Sequence, residues 1–162
     1  MSESVTLVPA WRRNDPKIAG DAKNFWLKLR VLSPAAVEQR VRELCAAAYV
    51  GDELVGVSTM ELGQSPLLRC RVGFFRCLAD PIYHQRRLAS RLTKYSRALL
   101  EQWSKENPSE KVLAMVAILE SPNFDRLAKR PMWHADVDYW LIGYTPNGHQ
   151  IRLTWFEHAR LE

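Results

Sequence analysis

The sequence predicts a mixed α/β domain with a mostly antiparallel central sheet and a single parallel β-α-β crossover. An apolar stretch over 67–79 is predicted to be a long strand, and the residues after it repeat with the spacing of an amphipathic helix. The continuous apolar run Val112–Leu119 follows, which is typical of a central strand covered on both faces. The helical repeat consists of Leu88, Leu92, Tyr95, Leu99 and Trp103, and it ends before Asn107-Pro108.

Two helices are predicted between the first strand, over 5–12, and the rest of the sheet. Asp15 is suited to the N-cap and Pro16 to the first helical position, so a helix is predicted from there to about Leu32. Ser33-Pro34 predicts the start of a second helix in the same way. The apolar stripe of this second helix is expected to consist of Val37, Val41 and Leu44.

An antiparallel hairpin is predicted directly before the crossover. Gly51-Asp52-Glu53 separates two stretches, 46–50 and 54–62, that have the character of strands. Gly63–Pro66 is predicted to be the turn that leads into the long strand over 67–79.

A second hairpin is predicted to close the chain. A short helix over 123–130 precedes two strands, over 137–144 and 150–157. Pro146-Asn147-Gly148 joins these strands, and its Asn-Gly pair favours a type I′ turn. The predicted element order is therefore β-α-α-β-β-β-α-β-α-β-β.

The composition is that of one ordinary globular domain, expected to cover residues 1–162. Hydrophobic residues make up 47% of the chain and charged residues 25%, which excludes disordered, collagen-like and coiled-coil classes. No apolar run has the length of a membrane span, and no secretory signal is visible. The three cysteines lack CxxC spacing, so reduced thiols and a cytoplasmic location are expected.

The positive charge is concentrated in one segment. Six Lys or Arg residues and one Asp lie between residues 76 and 97, which accounts for the whole net charge of +5. A protein that binds a long polyanion usually spreads its basic residues over a whole face. The concentration of charge therefore favours a compact anionic ligand.

The segment Asp80–Ser90 joins the long strand to the amphipathic helix. The first turn of a helix leaves backbone N–H groups unpaired and carries a partial positive charge. Two arginines, Arg86 and Arg87, and two small residues, Ala89 and Ser90, at this place favour a site for a phosphate or pyrophosphate. An ordinary solvated basic turn is the alternative.

This segment resembles the acyl-CoA-binding motif of the GNAT superfamily of N-acyltransferases, Gln/Arg-x-x-Gly-x-Gly/Ala with a Pro upstream. Pro81 takes the place of that Pro, His84 that of Gln/Arg, Arg87 that of the first Gly and Ala89 that of the last small residue. The element order is similar to that of the family over essentially the whole chain. The resemblance implies transfer of an acetyl or other acyl group from acetyl-CoA to an amine acceptor.

In the family, backbone amides of this loop hold the CoA pyrophosphate, and the pantetheine arm lies between the fourth and fifth strands, here 67–79 and 112–119. The segment 123–133 resembles a further family motif that begins with Asn. The CoA-binding residues that the resemblance implies are Cys77, Leu78, Ala79, His84, Gln85, Arg86, Arg87, Leu88, Ala89, Ser90 and Asn123.

Two residues that often act in proton transfer in the family have no counterpart. The position of the general-acid Tyr holds Ala128, and the position of a Glu on the fourth strand holds Gly73. Glu120, at the carboxyl end of the fifth strand and facing the cleft, and Glu61, at the end of the third strand, are the candidate bases. Tyr83 and His84 are the candidates for protonating the thiolate, although a ring that packs under the loop is the more common role for Tyr83 and a phosphate-loop or surface position the more common one for His84.

Two other functional classes stay open. The missing Tyr and Glu favour a GNAT-like domain that binds CoA or another small anion without catalysis, and the basic pI favours a nucleic-acid-binding module less strongly. No metal, membrane or nucleic-acid partner is expected, and a homodimer is left open. Cys70 and Cys77 lie seven residues apart on one strand, a poor spacing for a shared metal ion.

Overall fold

The computed structural model describes residues 3–120, 130–133 and 137–162, and within these it describes the backbone alone for residues 84–86. The strands are β1 (Val5–Pro9), β2 (Leu44–Val50), β3 (Glu53–Ser65), β4 (Cys70–Ala79), β5 (Val112–Leu119), β6 (Met132–Trp133), β7 (Tyr139–Tyr144) and β8 (Gln150–Trp155). The α-helices are α1 (Pro16–Lys28), α2 (Pro34–Arg40) and α3 (Leu88–Glu106), and short 3₁₀ turns cover Val41–Glu43, Pro81–Arg86 and Pro108–Glu110.

The eight strands form a sheet in the order β1-β2-β3-β4-β5-β8-β7-β6. The pair β4–β5 is parallel, with Arg71 opposite Val112 and Phe75 opposite Ala117, and α3 connects its two strands. The pairs β1–β2, β2–β3, β5–β8, β7–β8 and β6–β7 are antiparallel. The predicted mixed α/β fold with one crossover is therefore confirmed. The predicted helix over 123–130 lies outside the described residues.

The chain divides into two compact units. The first unit comprises Met1–Met60 and Cys77–Leu99, and the second comprises Glu61–Arg76 and Leu100–Glu162. The strands β3 and β4 and the helix α3 contribute residues to both units. Within the part of the chain that the structure describes, no helix is long and apolar enough to cross a membrane.

In the first unit, two apolar clusters lie on β2 and β3. One joins these strands to α1 and α2 through buried side chains such as Phe25 and Trp26, and the other joins them to Leu88 and Leu92 of α3. The helix α1 starts where the sequence predicts, because Asp15 Oδ1 accepts the backbone N–H of Lys17 at 2.9 Å and of Ile18 at 3.3 Å.

Gly56 on β3 lets α3 approach the sheet closely. A Cβ atom at this position would lie 3.0 Å from Leu92 Cδ1 and 3.2 Å from Leu88 Cδ2, and both leucines are fully buried. A methyl group at this position would therefore require the helix or the two leucines to shift by a few tenths of an ångström within a packed core.

We expect Gly56→Ala to lower the free energy of unfolding by about 1 kcal/mol because it overpacks this contact. Gly20→Ala is the matched control, since Gly20 lies inside α1, is exposed and has open space around it. This control should raise the free energy of unfolding by about 0.5–1 kcal/mol through helix propensity. Urea denaturation measures both values, and a stabilising Gly56→Ala would contradict the close approach.

In the second unit, the apolar cluster on β4, β5 and β8 includes Val72, Ala114, Val116 and Leu153. The fully buried guanidinium of Arg152 lies on β8. It donates to Gln150 Oε1 and to the carbonyl oxygens of Pro131 and Tyr139 at 3.2 and 3.3 Å. Burial lowers the pKa of Arg152, and these oxygen acceptors compensate for the lost hydration.

Several predicted boundaries in the first half of the chain are wrong, and hydrogen bonds explain them. The strand β1 ends at Pro9, because the N–H groups of Ala10 and Trp11 both donate to the carbonyl oxygen of Cys45 and turn the chain. Leu44 begins β2, opposite Thr59, instead of extending the stripe of the second helix.

Two turns also differ from the prediction. The β3–β4 turn lies after Ser65, whose carbonyl and hydroxyl oxygens accept the N–H groups of Arg69 and Leu68, so β4 begins at Cys70. The turn before β8 is not type I′, because only Gly148 has a positive φ there, of 85°. The short strand β6 has no counterpart in the sequence prediction.

Candidate functional site

Asp80 fixes the loop between β4 and α3. Its backbone N–H donates to Val55 O at 2.8 Å, which ties the loop to β3. Its carboxylate oxygen Oδ1 accepts the N–H of Ile82 at 3.0 Å, and its carbonyl oxygen accepts the N–H of Tyr83 at 2.9 Å. Because Asp80 is only 9% exposed, these three bonds hold the chain at the point where it leaves the sheet.

Arg87 occupies the left-handed region of backbone conformation directly before the first residue of α3. Its φ is +52°, which costs a side-chain-bearing residue about 1 kcal/mol relative to glycine. Its carbonyl oxygen accepts the N–H of Arg91 at 3.0 Å, so Arg87 also starts the helical hydrogen-bond pattern, and its side chain is exposed. The conformation that favours glycine is thus present where the motif has its first Gly.

The start of α3 presents a compact surface around this residue. Leu88 is buried and anchors the helix, whereas Ala89 and Ser90 are half-buried and small. Thr93 Oγ1 donates to Ala89 O at 2.8 Å, one turn into the helix. The N–H groups of a first helical turn point out of the helix, so this end of α3 is suited to an anionic group.

The last residues of β4 lead into the loop. Leu78 packs against the cluster with α1, and Ala79 packs against the cluster with α3. Burial raises the pKa of the Cys77 thiol to about 11, although a hydrogen bond with Thr93 partly offsets this effect. The thiol of Cys77 is therefore protonated at neutral pH.

Tyr83 packs as a half-buried ring against the apolar cluster that contains Leu88 and Leu92. Its φ of −97° and ψ of 15° mark a kink inside the 3₁₀ turn. The ring therefore contributes to the packing under the loop. The side chains of the other three predicted residues here, His84, Gln85 and Arg86, lie outside the described part of the structure.

The two candidate bases lie in the second unit. Glu61 does not end the third strand, which continues to Ser65, and its Oε2 lies 3.7 Å from Nη1 of Arg76 in an exposed ion pair. Glu120 directly follows β5, whose last residue, Leu119, lies opposite Gln150 of β8. Its side chain is exposed.

Within the first unit, the structure thus places Cys77, which bonds Thr93, and Ala79 against the first turns of α3, whereas Leu78 packs towards α1. Gly73, at the position of the family's Glu, lies within β4 opposite Met115. Asn123 and Ala128 lie outside the described residues.

A second surface feature of the first unit is an acidic pocket of about 310 Å³. Tyr49 donates to Asp21 Oδ2 at 2.7 Å, and Lys17 donates to the same oxygen at 2.6 Å. Burial alone would raise the pKa of Asp21, but these two hydrogen bonds outweigh it and the pKa lies below its ordinary value. The lining residues are Asp21, Asn24, Phe25, Lys28, Asp52, Glu53 and Leu54.

Two cations of the basic segment that were not predicted as site residues lie in the first two turns of α3. Arg91 and Lys94 are exposed, and their spacing of three residues places them on one side of α3. That spacing is visible in the sequence and could have singled them out from the other basic residues of the segment.

The sequence matches no protein-family model and no curated protein. Among solved structures, the chain is similar to an aminoglycoside 6′-N-acetyltransferase complexed with coenzyme A, with a TM-score of 0.58 at 17% identity over 97% of this chain and 99% of that one. It is similar to the loading GNATL domain of CurA from Lyngbya majuscula, with a TM-score of 0.60 at 12% identity over 96% and 99%. It is also similar to an acetyltransferase of the GNAT family from Streptococcus pneumoniae, with a TM-score of 0.58 at 12% identity over 94% and 99%. The chain therefore has the fold of the GNAT acetyltransferases.

Proposed function

We propose that this protein is an N-acyltransferase that moves an acetyl group from acetyl-CoA to an amine. The observation that carries this proposal is the positive φ of Arg87 at the start of α3. A positive φ is the conformation that glycine adopts most readily, and the acyl-CoA-binding motif has a glycine at this position, so this backbone conformation supports the proposal. The solved structure that contains coenzyme A on the same fold supports the same donor.

The first unit would hold the donor. The pyrophosphate would lie against the first turn of α3, where the N–H groups and the exposed guanidinium of Arg87 both favour negative charge. The bonds of Asp80 fix the loop before the ligand arrives, so that binding costs little ordering entropy.

Acyl transfer needs a neutral amine. The amine nitrogen attacks the thioester carbonyl carbon, the carbon–sulfur bond breaks, and the nitrogen loses one proton while the sulfur gains one. We assign Glu120 as the base that accepts the nitrogen proton, because it follows β5 and is exposed, whereas Glu61 is paired with Arg76. Since the Tyr83 ring packs under the loop, solvent is the proposed source of the proton on sulfur.

The chemical class of the amine acceptor can be identified by assaying a panel of amines. The panel should contain aminoglycosides, small metabolite amines, peptides with free N-termini and lysine peptides. Thiol release from acetyl-CoA in the presence of one of these classes would establish the enzyme and its substrate class together. A homodimer stays a prediction, which sedimentation of the purified protein tests.

A non-catalytic CoA-binding domain is the second candidate. Gly73 on β4 and the ion pair of Glu61 favour it, since both remove a carboxylate from catalysis. Tight CoA binding without thiol release across the whole panel would establish this alternative.

We expect CoA or acetyl-CoA at ten times its Kd to stabilise the fold by about 1.4 kcal/mol. For a chain of this size, that corresponds to a rise in Tm of about 3–5 °C. Differential scanning fluorimetry measures the shift, with a random oligonucleotide as the control ligand. An unchanged Tm at millimolar CoA would contradict the proposal, and a shift with the oligonucleotide alone would favour a nucleic-acid-binding module.

A further inference from the structure

The exposed side of the first two turns of α3 is uniformly cationic. Arg91 and Lys94 lie three residues apart on α3, so they share one side of the helix, and both side chains are exposed, whereas the leucines of the same turns are buried. Arg87, directly before the helix, is exposed as well. No acidic residue occurs on α3 before Glu101. This side of the helix therefore favours a ligand with more than one anionic group.

Arg91 is held in place by the main chain of β1. Its Nη2 donates to Val5 O at 3.1 Å. Val5 lies opposite Val50, the residue directly before the β2–β3 turn. Just after that turn, the carbonyl oxygen of Val55 accepts the N–H of Asp80, which leads into α3. The guanidinium thus lies at the end of the sheet where α3 begins. Because a guanidinium presents five N–H donors in a rigid fork, the bond to Val5 also orients the remaining donors.

The positive charge extends further than one pyrophosphate at the start of the helix requires. Lys94 lies six residues after Leu88, which is about 9 Å along the helix axis. Beside its pyrophosphate, CoA carries a phosphomonoester on the 3′ oxygen of the ribose, a group that has a charge of about −1.5 to −2 at neutral pH. Oriented guanidinium and ammonium groups one to two turns into α3 match such a dianion.

We propose that Arg91, assisted by Lys94, binds the 3′-phosphate of the donor. The protein then selects CoA thioesters over pantetheine thioesters that lack this phosphate. The proposal rests on the proposed function, because it assumes that the donor pyrophosphate lies at the start of α3.

Calorimetry with CoA and with 3′-dephospho-CoA tests the proposal. We expect the unchanged protein to bind CoA about tenfold more tightly, the scale of one charge-assisted contact. Arg91→Gln should remove most of this difference by weakening CoA binding only, while Arg91→Lys should keep part of it. Lys105→Gln, an exposed cation in the last turn of α3, is the matched control and should bind both ligands like the unchanged protein.

The Tm of each free variant shows whether the lost bond to Val5 disturbs the fold. Equal affinity of the unchanged protein for the two ligands would overturn the proposal. An equal loss of both affinities in Arg91→Gln would overturn it as well, because Arg91 would then act on the pyrophosphate or on the loop. If neither CoA nor 3′-dephospho-CoA binds, the proposed function itself is wrong. That result differs from equal binding of both ligands, which contradicts only the role of Arg91.

Discussion

Glu120→Gln is expected to lower kcat about 100-fold or more while leaving the affinity for CoA unchanged. The amide keeps the shape of the side chain but cannot accept the proton of the attacking amine, and the loss of a general base has an effect of this size. Because Glu120 is exposed and directly follows β5, the substitution removes no packing from the apolar cluster of the second unit. Steady-state thiol release with the best acceptor, together with calorimetry of CoA, measures the two quantities.

Two control variants make this test specific. Glu157→Gln changes another exposed carboxylate of the second unit, just after β8, and should leave kcat unchanged. Glu61→Gln removes the partner of Arg76. It should leave kcat nearly unchanged, because Glu61 is not the assigned base, and it should leave the free energy of unfolding nearly unchanged, because an exposed ion pair contributes little to stability. If Glu120→Gln has a normal kcat and Glu61→Gln a reduced one, Glu61 is the base. If both variants have a normal kcat, neither carboxylate is the base, and a water molecule accepts the proton.

Arg87→Gly is expected to have two opposite effects. Glycine adopts a φ of +52° without strain, so the free energy of unfolding should rise by about 0.5–1 kcal/mol. The same change removes a guanidinium from the start of α3, so CoA binding should weaken by about 1–3 kcal/mol. Urea denaturation and calorimetry separate the two effects.

Arg69→Gly is the matched control for the backbone effect. Arg69 has a φ of +54°, is exposed and lies in the β3–β4 turn of the second unit. This variant should be stabilised to a similar extent and should bind CoA normally. If Arg87→Gly instead binds CoA more tightly, the arginine obstructs the loop, and the non-catalytic alternative becomes the better explanation.

The boundaries that the sequence predicts well are those set by local chemistry. Asp15 and Ser33 begin their helices as expected because each side-chain oxygen accepts an N–H two or three residues later. Val112–Leu119 is predicted residue for residue, since a continuous apolar run of that length fits a buried strand. Such signals depend only on neighbours in the chain.

The boundaries that fail are set by partners distant in the chain. Leu44 begins a strand because it pairs with Thr59, and β1 ends early because Cys45 O accepts two N–H groups. The candidate site follows the same rule. The sequence motif identifies Arg87, but the positive φ of Arg87 and the hydrogen bond from Arg91 to Val5 O are visible only in the folded chain.

The raised pKa values of two thiols have a consequence for the proposed acyl transfer. Burial raises the pKa of Cys77 to about 11 and that of Cys45 to about 12. At neutral pH both thiols are therefore protonated, whereas the thiolate is the form that attacks a thioester. If the donor binds as proposed, beside the end of β4, Cys77 would not capture its acyl group, and the protein would resist S-acylating itself during turnover.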